Sequence, residues 1–230
     1  PKRVARIRPF LLPGGDEAVK EPARCACALA RQMAEWRPDG LLRRLEHGIP
    51  PRKRQALETM MERHVHCPAT SSMGRLFDAV AFWCGFDGAA GCEGHAAMVL
   101  ESWAASLPED GPEGDSYEWV MHEEGGLLEL DWRPVLKALN DDLLAGVSRC
   151  RIARKFHESL VNLVFDVAER FSQDRLVLGG GCFQNAFLLE GLMGMAQSRA
   201  CVLSLPQRVP CNDGGISLGQ AAAAVRQWKG

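Results

Sequence analysis

The sequence predicts a helix-rich α/β fold on three observations. Apolar residues recur with the 3.6-residue period of a helix along most of the chain, and strand-like runs are few and short. One segment near the C-terminus also reads strand, glycine turn, helix, strand. At 230 residues, 47% apolar and 24% charged, the chain is long enough to bury a core of its own, and its composition excludes disorder and collagen-like repeats.

Taken in order, Val4 to Phe10 is a weak strand candidate, and a helical pattern covers Asp16 to Trp36. Pro38-Asp39-Gly40 and Ile49-Pro50-Pro51 read as breaks, with a further helix over Arg52 to His64. Ser71 to Cys84 is predicted as a helix whose Leu76, Phe77, Val80, Ala81 and Cys84 face the core, while Ser71, Gly74, Arg75 and Asp78 share an opposite, polar side. A helix over Gly94 to Trp103 precedes an exposed acidic loop at 107–116. Beyond it come a weak strand at Leu127 to Leu130 and a helix over Arg133 to Ala145.

The clearest helix runs Ala153 to Phe171, with Phe156, Leu160, Leu163, Val164, Val167 and Phe171 on one stripe. A buried strand at Arg175 to Leu178, a helix over Asn185 to Met195, a strand at Cys201 to Leu205 and a helix over Gly215 to Trp228 complete the chain. The expected organisation is a single partial domain over 1–230, with a helical part at 1–106, the acidic loop, and an α/β part at 117–230.

Several function classes are excluded. No run approaches the ~18 uninterrupted apolar residues of a membrane helix. With 27 Lys and Arg against 29 Asp and Glu, the net charge of -2 offers no field for a nucleic-acid backbone. Nine cysteines are an odd and scattered set, unlike a disulfide scaffold, and no apolar signal core follows Pro1, so the cytoplasm is the expected compartment. The missing initiator methionine suggests a fragment or a trimmed chain.

The strongest local motif is Leu176-Val177-Leu178-Gly179-Gly180-Gly181-Cys182-Phe183-Gln184-Asn185. A strand running into glycines and then a helix lets a ligand approach the backbone, with helix N-terminal amides available to it; a tight packing turn is the equally open alternative. It lacks both the dinucleotide spacing G-x-G-x-x-G and the Gly-Lys-Ser/Thr of a phosphate loop. In Asn212-Asp213-Gly214-Gly215 an acid precedes two glycines at a helix start, which suits a metal ligand or, more simply, a helix cap. The overlapping Gly215-x-Ser217-x-Gly219 is no nucleophile elbow, since no Asp, Glu or His follows Ser217. Cys25-x-Cys27 and His64-x-His66-Cys67 lack zinc-site spacing, and His157 beside its apolar stripe reads as a structural histidine.

Together, Pro13-Gly14-Gly15-Asp16, Lys20-Glu21-Pro22, Ser71-Ser72-Met73-Gly74-Arg75-Leu76-Phe77-Asp78, Glu93-Gly94, Phe156-His157, Gly180 to Asn185 and Asn212 to Gln220 resemble the C-terminal part of the HypF carbamoyltransferases of [NiFe]-hydrogenase maturation. The resemblance implies the second lobe of a Kae1-like domain, of the actin-like ATPase class with its ribonuclease-H-like lobes. It further implies ATP or carbamoyl-adenylate as ligand, and transfer of the carbamoyl group to the C-terminal cysteine of a HypE-like partner. Family members carry upstream domains and a first lobe with paired metal-binding histidines, which this sequence lacks. The divalent metal, iron or zinc, would find only Asp213 here. Against the family pattern, Gly179 replaces a serine, Cys92 a tyrosine, His95 a glutamine and Ala186 an arginine.

By the same resemblance, Gly180 and Gly181 would lie against the nucleotide, Asn185 would bond base or ribose, and Asp78 would accept the ribose hydroxyls. Lys20 and Arg75 would be the catalytic cations near phosphate or carbamoyl oxygen. The alternatives are an O-carbamoyl or threonylcarbamoyl transferase of the same fold, or a non-catalytic fragment docking on HypE. A lone lobe should also expose apolar surface and tend to associate.

Overall fold

The computed structural model describes residues 2–36, 38–107 and 115–228, which divide into two compact units, 1–160 and 161–230. The division falls within a long helix; residues 108–114 of the expected acidic loop lie outside the described residues.

The first unit runs β1 (Ala5–Ile7), β2 (Phe10–Leu11), α1 (Glu17–Lys20), α2 (Pro22–Gln32), α3 (Asp39–Gly48), α4 (Pro51–Glu62), β3 (Ala69–Thr70), α5 (Met73–Trp83) and α6 (His95–Ala105). It continues through β4 (Val120–Glu124), β5 (Leu127–Asp131), α7 (Arg133–Leu144) and the start of α8 (Arg149–Arg170). β5 lies between β1, to which it is parallel, and β4, to which it is antiparallel. β2 and β3 form a separate antiparallel pair.

The core centres on α2 against α5. The small side chains of Cys25, Ala26 and Ala30 let α5 approach closely, and interaxial distance follows the side chains at the contact. Leu29, Leu76, Phe77 and Val80 are fully buried there, each worth roughly 1.5–3 kcal/mol of hydrophobic burial. Phe77 meets Phe156 of α8 edge-on, with ring centroids 5.1 Å apart.

The second unit contains the end of α8, β6 (Arg175–Val177), a 3-10 turn at Gly181–Gln184, α9 (Ala186–Ser198), β7 (Val202–Ser204), a 3-10 turn at Asp213–Gly215 and α10 (Ile216–Trp228). β6 and β7 pair in parallel, so the expected strand, turn, helix, strand order holds. α9 crosses the end of α8 at Gly191, where a Cβ would come within 2.9 Å of Val161 Cγ2.

Four expectations are corrected. Pro38-Asp39-Gly40 opens α3 rather than ending structure, because Pro38 sits just outside the helix and the first amides find a distant acceptor in Asn140. A strand missed in the sequence, β4, follows the acidic stretch; it carries His122, Glu123 and Glu124 and holds its place by pairing with β5. The face bearing Arg75 and Asp78 is not an open polar side, since Asp78 is 3% exposed. Finally, β6 is not buried within this chain: Val177 is 81% exposed and Val202 on β7 52%, because a two-stranded ribbon supplies each strand only one neighbour.

Candidate functional site

The sequence-predicted residues fall into two sets, one in each unit. In the first unit, Lys20 ends α1, whose backbone carbonyl accepts the amide of Ala90 at 2.7 Å. Its ammonium is exposed and donates to Glu17 at 2.8 Å, which holds its pKa above the ordinary range.

Arg75 and Asp78 stand one turn apart on α5, and the structure brings them together. Arg75 Nη1 is 2.7 Å from Asp78 Oδ2, yet the approach lies off the hydrogen-bonding direction, and both atoms are buried with no other hydrogen-bond partner. Burial pushes the Asp78 carboxyl up to about 6, against the pull of the Arg75 guanidinium. The buried Cys25 thiol faces the pair from α2; burial, reinforced by Asp78, pushes it up to about 12, so it stays neutral. Cys27 is a second buried thiol, raised by burial to about 12, and both belong to the core. His157 is also core: fully buried, with Nδ1 2.7 Å from the carbonyl of Ala153 and its ring 5.3 Å from that of Phe77.

In the second unit, the glycine turn and the Asn212-Asp213-Gly214-Gly215 segment are stitched together. The amide of Gly180 donates to the carbonyl of Cys211 at 2.6 Å, and Asn212 Nδ2 donates to Gln184 Oε1 at 3.3 Å. Gly180 has φ +116°, which only glycine adopts without strain, and a Cβ on any of Gly179, Gly180 or Gly181 would meet nothing within 4 Å. The space over the turn is therefore open, as a backbone that receives a ligand requires. Asn185 caps α9, its Oδ1 accepting the amide of Leu188 at 2.8 Å, and the residue is largely buried. Asn212 plays the same part for the last turn, accepting the amide of Gly214 at 3.0 Å, and Asp213 opens that turn.

No set of metal donors assembles around Asp213 among the described residues. Among the described residues, the one cluster of three candidate ligands is His122, Glu124 and Glu129, on β4 and β5. Sequence reasoning passed over it, although His122 and Glu124 alternate along one face of a strand. Arg8 lies 2.9 Å from Glu129, and Arg6 lies within 3.7 Å of both Glu124 and Glu129. Two guanidinium groups oppose a divalent cation there. The cluster is an ion-pair network in which burial, with Glu124 beside it, raises the Glu129 carboxyl. The described residues do not by themselves form a metal site.

Residues 1–220 match the family described as the carbamoyltransferase Kae1-like domain, second subdomain. The class is thus the second subdomain of a Kae1-like carbamoyltransferase domain, and the helix-rich α/β architecture agrees with it. The chain belongs to the HypF carbamoyltransferase family. It is 33% identical to the carbamoyltransferase HypF of Synechocystis, covering 98% of this chain and 30% of that protein. It is 34% identical to a carbamoyltransferase HypF homolog of Cupriavidus necator, covering 98% of this chain and 58% of the relative. A crystal structure of full-length HypF in the phosphate- and nucleotide-bound form superposes with a TM-score of 0.86 at 30% identity, covering 100% of this chain and 29% of that one. The chain therefore spans about a third to somewhat over half the length of these relatives.

Proposed function

We propose that this chain is the second subdomain of an enzyme that passes a carbamoyl group from a carbamoyl-adenylate to the C-terminal cysteine of a HypE-like protein in [NiFe]-hydrogenase maturation. The observation that carries the reading is the likeness, over the whole chain, to a HypF solved with phosphate and nucleotide. In this chemistry the partner's thiolate attacks the carbamoyl carbon; the C–S bond forms as the C–O bond to the adenylate phosphate breaks, and AMP leaves with the electron pair.

For the second unit, taken by itself, the reading assigns the open turn at Gly180 and Gly181 to the nucleotide, with Asn185 beside it. For the first unit, taken by itself, the reading assigns Asp78 as the carboxylate that accepts ribose hydroxyls, since a carboxylate can take two hydroxyl protons. Lys20, exposed at its helix end, is the cation for phosphate or carbamoyl oxygen. Asp213 contributes at most one ligand to a divalent metal, iron or zinc, whose other ligands come from outside this chain. Bound there, such a metal would polarise the carbamoyl or phosphoryl oxygen. The cytoplasm is the compartment where this maturation would take place.

α10 has no buried residue, and Ile216, Leu218, Val225 and Trp228 are all exposed. Because the chain spans 30% of the Synechocystis relative, the occupant of this apolar helix is taken to be the remainder of a longer HypF polypeptide.

Calorimetric titration with ATP and with a non-hydrolysable carbamoyl-adenylate analogue tests the reading. Saturable binding, lost on Asp78→Asn, is the expected result. Equal affinity in the wild type and the variant removes Asp78 from the nucleotide.

A further inference from the structure

Arg75 and Asp78 form a buried pair whose geometry limits what the arginine can do. Its Nη1 lies 2.7 Å from the carboxylate, is itself buried, and has no hydrogen-bond partner. That nitrogen is thus turned to the carboxylate and closed to solvent, and the Arg75 side chain as a whole is 12% exposed. We propose that Arg75 is a positioning residue which acts through Asp78, holding it as a carboxylate able to accept two ligand hydroxyls, and that it does not itself bind phosphate. The proposal rests on the nucleotide reading of Asp78 given above.

The surroundings support it. α5 packs against α2, α3 and α6, and α8 reaches it through Phe156 and His157. From α2 the group facing the pair is Cys25, a neutral thiol that brings no charge. Arg44 of α3 is engaged at the far end of α5, where Nε donates to the carbonyl of Phe82 at 3.1 Å and the guanidinium pairs with Asp87. His95 of α6 packs on Phe86, and His157 of α8 packs on Phe77. The charge acting on Asp78 is therefore that of Arg75, opposed by burial, which drives the carboxyl up to about 6. Without the guanidinium, burial acts unopposed, and Asp78 becomes a protonated acid at neutral pH. A protonated carboxyl donates one hydrogen bond where the ligand needs an acceptor for two.

The test is a carbon-13 carboxyl NMR titration of the full chain, with the Asp78 signal assigned by its absence in Asp78→Asn. It is paired with adenosine and ATP binding from about pH 5 to about pH 8, the range over which a shifted carboxyl changes charge. In Arg75→Met the Asp78 midpoint is expected to rise by roughly one to three pH units, the displacement an adjacent guanidinium ordinarily produces. Adenosine and ATP affinities should fall together, about tenfold for each pH unit by which the midpoint exceeds the measuring pH, and Arg75→Lys should restore both. If Arg75→Met does not fold, Arg75→Gln takes its place.

An unmoved midpoint overturns the proposal. So does a loss of ATP affinity with adenosine unaffected at every pH, since that is the mark of a direct phosphate contact. If Asp78→Asn leaves adenosine binding unchanged, the nucleotide role of Asp78 fails instead, and the NMR midpoint still decides whether Arg75 governs its charge.

Discussion

Asn140, in α7, accepts the backbone amide of Gly40 at 2.8 Å and that of Leu41 at 3.2 Å through its side-chain Oδ1. It thereby caps α3 from a hundred positions further along the chain. Asn140 is buried, and a Cβ on Gly40 would come within 3.0 Å of its backbone oxygen, so glycine is what lets α7 sit this close. Helix-start amides have no partner of their own, and here a residue of another helix supplies it.

Asn140→Ala is expected to leave two buried amides without an acceptor and to destabilise the chain by about 1–3 kcal/mol. Urea denaturation should show a lower midpoint with an unchanged slope. A change below experimental error would mean that water replaces the side chain.

Asn185 caps α9, and the nucleotide role proposed for it is separable from that cap. Asn185→Ala should cost about 1 kcal/mol through loss of the α9 cap, whereas Asn185→Asp keeps an oxygen for the amide of Leu188 and should be close to neutral for stability. If Asn185 also donates to nucleotide, Asn185→Asp will bind ATP more weakly while melting normally. Unchanged ATP affinity in that variant would confine Asn185 to capping.

His157 gives the fold a sensitivity to acid. Burial depresses its imidazole to about 4, while the unfolded chain protonates near 6.5, so the unfolded state binds more protons between these values. Its contribution is fully present above the unfolded value and is lost as pH falls through this window, by an amount on the order of 3 kcal/mol. His157→Gln should flatten that part of the stability profile, as measured by denaturation at closely spaced pH values. An equally steep profile in the variant would assign the loss to another group.

Gly215→Ala should disturb the turn that leads into α10. A Cβ there would meet the backbone oxygen of Pro210 at 2.7 Å, a contact that no side-chain rotation relieves. A loss of roughly 1–3 kcal/mol is expected. Amide exchange around 210–216 should rise in the variant, and protection equal to the wild type would show that the backbone shifts at little cost.

How much of this was legible in the sequence differs by element. α5, α7 and α8 were visible because helical periodicity is local: the residues that make the stripe are the residues that form the helix. The glycine turn at 179–181 and the cap at Asn212 were visible for the same reason, since turn and cap chemistry act within a few residues, whereas the cap at Asn185 was found only in the structure. The α3 helix was not, because its cap lies in α7, and β4 was not, because a strand with two glutamates at its end is held by its partner.

The candidate site divides along the same line. Residue types at local spacing pointed to the glycine turn at Gly180 and Gly181, to Asp213, and to Arg75 and Asp78 on one helix face, while the roles expected of Asn185 and Lys20 came with the family resemblance. By itself the sequence determined the order of most elements, the helical faces and the membership of the carbamoyltransferase family. Only the tertiary structure decided that the Arg75 and Asp78 face is buried, that Gly180 is tied to Cys211, and that Val177 remains exposed. The physical reason is that propensity and periodicity depend on neighbours in the chain, whereas burial, charge state and the pairing of a polar atom depend on what other segments bring against it.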